Sequence, residues 1–205
     1  MRTIFIFIIL IILVNNKIAY PYSKHYQRNV SQDNIQTDIT ILLEEAIELY
    51  NTGKKDGKFE ASTKLFNKII QLDQKNVTAH FYLGEINFLK MEISSIFRKK
   101  KYGDIACKKF EIVVKLDPKH HKAHHYLGRM YHMSPIWYED LREKAIEEFK
   151  IALKIKPESI ETLRYLAMAY EKYNDVYNAR IIWKRLLKLK PDDKETQERL
   201  KNLSK

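Results

Sequence analysis

Small and large apolar residues recur along this chain with a long, nearly fixed period. The clearest copy has Tyr165-Leu166-Ala167-Met168-Ala169-Tyr170, then Ala179, Trp183 and Leu186, and closes at Pro191. The copy before it has Tyr126-Leu127-Gly128 and Tyr131, then Ala145, Phe149, Ala152 and Pro157. An earlier copy has Tyr82-Leu83-Gly84, then Ala106, Phe110, Val113 and Pro118. The first is degraded: Ala46 and Leu49, then Ser62, Phe66 and Ile69, with Gln74 in the proline position. Pro157 and Pro191 are 34 residues apart. A self-similar period of this length predicts stacked supersecondary units, none of which buries its apolar face alone. Arrays of this kind build extended binding surfaces.

Each copy predicts two helices. Gly84, Gly128 and Ala167 follow a large apolar residue in the first helix, where a small residue lets the second helix come close. Ala106, Ala145 and Ala179 are the matching small residues on the second helix, and Phe110, Phe149 and Trp183 fill the space beyond. These segments resemble tetratricopeptide repeats over roughly residues 38–192. The resemblance implies an all-α fold, a right-handed α-solenoid of antiparallel helix pairs. About four units are expected, at 39–75, 77–119, 121–158 and 160–192, with a capping helix over 193–205 that carries Leu200 and Leu203 on one face.

The resemblance also implies that the inner face of each first helix lines a concave groove that binds another protein. On this chain that stripe is Thr78, Phe81, Glu85 and Phe88, then Lys122, His125, Arg129 and His132, then Arg164, Met168 and Glu171. The residues are three to four apart, so each set falls on one face. Phenylalanines beside Lys122, Arg129 and Arg164 suit an extended or helical peptide with apolar and acidic side chains. Clamps for a C-terminal carboxylate in this family need basic and asparagine residues at set positions, and this chain has Phe81, Tyr82, Glu85, Tyr165 and Met168 there.

The copies differ in length between their helices. From the small residue of the first helix to that of the second, the spacing is 12 in the fourth unit (167 to 179) but 16, 22 and 17 in the first three (46 to 62, 84 to 106, 128 to 145), so the first three units carry insertions in the turn between their helices. Such insertions project from one edge of a solenoid, often its binding side. Neutral tolerance of extra loop length is an equal alternative. The second unit's insertion has Ile93, Ile96 and Phe97 followed by Arg98-Lys99-Lys100-Lys101. That composition fits contact with an anionic membrane surface, or a lengthened helix with a solvated basic end. The third unit's insertion has Trp137 and Tyr138 beside Pro135, either a binding hot spot or a plug over the groove end.

Composition narrows the partner class only partly. The 205 residues carry a formal net charge of +11, with five glycines and five prolines. A basic excess favours an acidic protein, an anionic membrane or nucleic acid, and a Lys-, Ile- and Asn-rich genome explains it equally well. The single cysteine, Cys107, forms no intramolecular disulfide.

The amino terminus is a separate object. Arg2 precedes an apolar run from Ile4 to Val14, ended by Asn15, Asn16 and Lys17. This layout is that of a secretory signal. Eleven helical residues cover about 16 Å, short of a ~30 Å hydrocarbon core. Residues 1–20 are therefore expected to be a signal peptide or a membrane anchor, with the chain exported and either periplasmic or held at the inner membrane through residues 4–20. Ala19 is a poor cleavage site with Lys17 two positions before it, so the anchor stays open. Residues 21–37 read as a flexible spacer.

The histidines His120, His121, His124, His125 and His132 invite a metal reading, since two pairs are four apart. No glutamate follows the first histidine of either pair, and His124 replaces a bulky residue that packs in such repeats. No phosphate loop or nucleophile motif is present, and no metal ligand set or cofactor is expected. The sequence therefore predicts a non-enzymatic interaction scaffold of the cell envelope, with another protein as partner. Metal binding or catalysis by the His120–His132 cluster is the alternative, as is action through the inserted loops. Nucleic-acid binding through Arg98–Lys101 conflicts with export.

Overall fold

The computed structural model describes residues 24–133 and 139–203, with side chains from 35 onward except at 139 and 140. The apolar run at 4–14 and the Trp137–Tyr138 pair lie outside the described residues. Contacts divide the chain into Met1–Thr40 and Ile41–Lys205.

All regular structure among the described residues is helical. The helices are α1 (Lys24–Asp56), α2 (Glu60–Leu72), α3 (Val77–Ile93), α4 (Ile96–Leu116), α5 (His121–His132), α6 (Glu139–Ile155), α7 (Ile160–Lys172), α8 (Val176–Leu189) and α9 (Lys194–Asn202). Successive helices pack in pairs: α3 on α4, α5 on α6, α7 on α8, with each pair packed on the next. The chain is an all-α solenoid. Among the described residues no helix is long and apolar enough to cross a membrane.

One expectation fails at the start. The segment read as a flexible spacer, 21–37, is helical from Lys24 onward. No glycine or proline interrupts residues 22–52, so nothing in the backbone stops the helix, and its polarity alone does not.

The repeat is built from three recurring contacts. The first is the small-on-large contact within a unit. A Cβ added to Gly84 would meet the Phe110 ring at 2.7 Å, and one added to Gly128 would meet the Phe149 ring at 2.6 Å. Phe110, Phe149 and Trp183 are fully buried, as are Ala106, Ala145 and Ala179 one turn earlier on the same helices. The second contact joins units. The tyrosine of each Tyr-Leu-small triplet stacks on the aromatic residue of the preceding unit's second helix. Tyr82 lies on Phe66 at 5.1 Å between ring centroids, Tyr126 on Phe110 at 4.8 Å, and Tyr165 on Phe149 at 6.2 Å.

The third contact starts each first helix. Asn76, His120, Ser159 and Asp193 accept a hydrogen bond from the N–H three residues on, at 3.0, 3.1, 3.4 and 2.9 Å. Their spacings match those of Gln74, Pro118, Pro157 and Pro191 two residues earlier. Four residues past three of these caps, a polar side chain bonds back to the preceding turn. His80 reaches the Gln74 carbonyl at 3.0 Å, His124 the Pro118 carbonyl at 3.0 Å, and Gln197 the Pro191 carbonyl at 2.8 Å.

The register continues through α9, which caps the array. Leu200 and Leu203 pack on the Trp183 cluster. Arg199 occupies the place of the stacking tyrosine and lies over Trp183, 6.0 Å from its ring centroid. An arginine there covers the last aromatic ring while leaving a polar outer surface, which a terminal unit needs for solubility.

Candidate functional site

The first helices α3, α5 and α7 share one face, and a cavity of about 310 Å³ opens on it. Its lining includes Glu85 from α3, Lys122, His125 and Arg129 from α5, Lys156 from the following turn, and Glu161 and Thr162 from α7. Four of the expected groove residues, Glu85, Lys122, His125 and Arg129, therefore meet there.

Arg129 organises the floor. Its guanidinium lies 4.3 Å from the Phe88 ring centroid and 4.5 Å from that of Tyr165, between α3 and α7. It donates through Nη2 to Glu92 Oε1 at 2.9 Å. Tyr126 donates its phenol proton to Glu85 Oε1 at 2.7 Å, and Lys54 lies 3.9 Å from the same oxygen. Burial, and then the Glu85 charge, push the Tyr126 phenol well above its ordinary range. His125 Nδ1 and Thr162 Oγ1 share a hydrogen bond of 3.1 Å. Burial, with Arg129 nearby, pushes His125 down to about 4. Burial, with Lys172 nearby, does the same to His132, also to about 4. At neutral pH both imidazoles are uncharged, and the charge of the face comes from lysine, arginine and glutamate.

Phe81 and Phe88 need correction as groove contacts. They are 6% and 1% exposed, so neither ring reaches a ligand. Phe81 packs among Tyr82, Phe110, Tyr126 and His120, and Arg129 roofs Phe88. These aromatic members of the expected stripe face down into the interface with the third unit.

The fourth unit's stripe is engaged from within. Arg164 bonds Asp193 at 2.6 Å and also Glu195, both at the start of α9. Glu171 accepts from Trp183 Nε1, and from Arg199 at 2.9 Å. The Thr196 N–H, then Arg164, hold the Asp193 carboxyl well below the usual carboxylate range. Met168 is half-buried against the Trp183 cluster, and Thr78 is exposed at the other end.

Two more of the histidines are engaged by local bonds. His120 caps α5 through Nδ1. His124 is buried with both ring nitrogens bonded, Nδ1 to Glu148 at 2.6 Å and Nε2 to the Pro118 carbonyl. Among the described residues no group of three or more His, Cys, Asp or Glu side chains is placed to hold a metal.

Lys156, Ser159, Glu161 and Thr162 also line the cavity, and the sequence reading missed them. Glu161 was recoverable, because it stands six residues before Ala167 as Thr78 and Lys122 stand before Gly84 and Gly128. Lys156 lies between units, where the stripe gives no signal.

Solved structures share this architecture. PilF of Pseudomonas aeruginosa is 14% identical, with a TM-score of 0.62 over 81% of this chain and 69% of that one. A MamA fragment from Desulfovibrio magneticus RS-1 is 17% identical, with a TM-score of 0.57 over 82% and 92%. TTC0263 of Thermus thermophilus, described as a thermophilic TPR protein, is 18% identical, with a TM-score of 0.59 over 86% and 93%. The fold is that of the tetratricopeptide repeat. At these identities the likeness establishes the fold and leaves the ligand open. No protein-family model matches the chain, and no curated protein matches it either.

Proposed function

We propose that this chain is a non-catalytic interaction scaffold of the cell envelope that captures a segment of another protein on the face shared by α3, α5 and α7. One observation carries the reading: the cavity on that face has two exposed lysines, Lys122 and Lys156, at its edge, and neither forms an ion pair among the described residues. Their charges are open to a partner, whereas Arg164, Glu171 and Arg129 already serve internal contacts. The rim suits an acidic side chain, and the exposed Glu161 carboxylate beside it can accept hydrogen bonds from a partner, while Ser159 and Thr162 are buried and bonded to each other, and Thr162 to His125. Tetratricopeptide folds serve as protein-binding arrays, which favours a protein over a small ligand. The envelope location rests on Arg2 and the apolar run from Ile4 to Val14.

The test is crosslinking in the native cell, comparing wild type with Lys122→Glu/Lys156→Glu. A partner recovered with wild type and lost with the double variant is the expected result. An unchanged set of crosslinked proteins removes the groove reading. Sizing the recovered chain in each cell fraction tests export: loss of the first 19 or so residues indicates cleavage, and a full-length membrane-bound chain indicates an anchor.

A further inference from the structure

The second unit's insertion forms no loop. α3 and α4 have 17 and 21 residues, against 13 and 14 in α7 and α8, and only Ser94 and Ser95 join them. At 1.5 Å per residue, α4 exceeds α8 by roughly 10 Å. The extra turns form a helical overhang. Its inner side packs, with Met91 and Gly103 buried and Met91 Sδ 3.2 Å from a Cβ placed on Gly103.

Its tip does the opposite. Ile93, Ile96 and Phe97 are 73%, 78% and 91% exposed. Three large apolar side chains in water at one turn are a feature that folding alone does not explain. Arg98, Lys99, Lys100 and Lys101 follow directly, all exposed. Lys100 bonds Asp104 at 2.7 Å, while Arg98, Lys99 and Lys101 form no ion pair among the described residues.

We infer that this tip is a membrane-contact site, with Phe97, Ile96 and Ile93 entering the headgroup–acyl boundary of an anionic bilayer and the four cations lying at phosphate level. Two properties favour a bilayer over a protein partner. The tip is the end of a hairpin that runs past its core with its apolar side chains in water, and a bilayer deforms around such an end where a protein would need a matching pocket. The cations also sit beside the apolar residues in the order that an interface requires, apolar at the end and charge just behind. This inference is independent of the groove reading, since the two use different residues.

Vesicle flotation of the full-length chain tests it, on phosphatidylcholine alone and with phosphatidylglycerol added. Every variant keeps residues 1–23, so any contribution from the apolar amino terminus is common to all. Wild type should float with the anionic vesicles and fall away as salt rises. Ile96→Ser/Phe97→Ser should cut partitioning at least tenfold. Lys99→Gln/Lys101→Gln should cut it about fivefold per cation removed. Phe97→Trp should show emission quenched by brominated acyl chains. These side chains are solvent-exposed, so helical circular dichroism should match wild type.

The inference is overturned if wild type does not float, or if both double variants float as well as wild type. Phe97→Trp emission left unquenched by brominated anionic vesicles also sinks it. So does Phe97-dependent binding to soluble polyglutamate, which reassigns the tip to an acidic protein. A Phe97-dependent dimer by sedimentation reassigns it to a second copy of the chain.

Discussion

The second and fourth units share a core and differ in how they turn. In the fourth, α7 and α8 are joined through Tyr173, Asn174 and Asp175, with Asn174 in the left-handed region at φ 61° and Asp175 capping α8. Asparagine tolerates that conformation better than most residues. In the second, the helices run on and reverse at two extended serines. The fourth hairpin ends where its core ends, and the second continues past its core into water. A repeat specifies how two helices meet at their small and aromatic positions and leaves their lengths beyond that contact unconstrained, so the second unit's extra residues are accommodated as helix.

The largest expected effect tests the shared part. Gly84→Leu should disrupt the second hairpin, because the added side chain starts 2.7 Å from a fully buried phenylalanine ring. The fourth unit already carries a methyl at the equivalent Ala167, and Ala167→Gly should cost only about 2 kcal/mol, from helix propensity and the loss of one buried methyl. Urea denaturation of both variants checks the contrast. A well-folded, cooperative Gly84→Leu protein would mean that the helix contact is not the one described.

A middle-sized effect lies between these units, at the histidines of α5. His125 and His132 are held near 4 when folded, below the ordinary value of about 6.5. The folded state disfavours their protonation, so their contribution is present above about pH 6.5 and is lost as pH falls toward 4, at up to about 1.4 kcal/mol per pH unit each. His124 runs the other way. Burial lowers it, but bonds to Glu148 and the Pro118 carbonyl outweigh that and raise it. Its contribution is full below about pH 6.5 and is lost as pH rises through the raised value. His125→Gln should therefore flatten the loss of stability between about pH 7 and about pH 5, and His124→Gln should steepen it. Thermal melts across that range measure both slopes; parallel slopes in all three proteins would refute the assignment.

The smallest effect concerns the overhang. Amides at the start of α4, from Ile96 to Tyr102, should exchange faster than those of α8 between Ala179 and Leu186, because few buried side chains hold the tip. Hydrogen exchange read by mass spectrometry tests this. Equal protection would indicate that the tip is held by contacts beyond those described.

Much of this was legible in the residues. Gly84 and Phe110, Gly128 and Phe149, and Ala167 and Trp183 recur together because each small residue exists to admit its large one, so they announced the fold. The membership of the face was half legible. Spacing placed Phe81 and Phe88 on the stripe, yet spacing does not say whether a side chain points out or folds under a neighbour. Arg129 comes from the next unit and roofs Phe88, a contact made across 41 residues of sequence. Lys156 was illegible for a related reason: it lies on a turn whose direction is set by Pro157 and the cap at Ser159. The helical start of α1 was hard to read because its composition is polar, although no helix breaker lies between residues 22 and 52.

Arg129 has a mechanical consequence. Stacked arrays tend to yield one unit at a time, since each touches only its neighbours. This guanidinium is gripped by a ring from the second unit and a ring from the fourth while belonging to the third. A chain stretched from its two ends would meet a rivet at that point. The three units around it should part together as one block, with the first unit peeling away on its own.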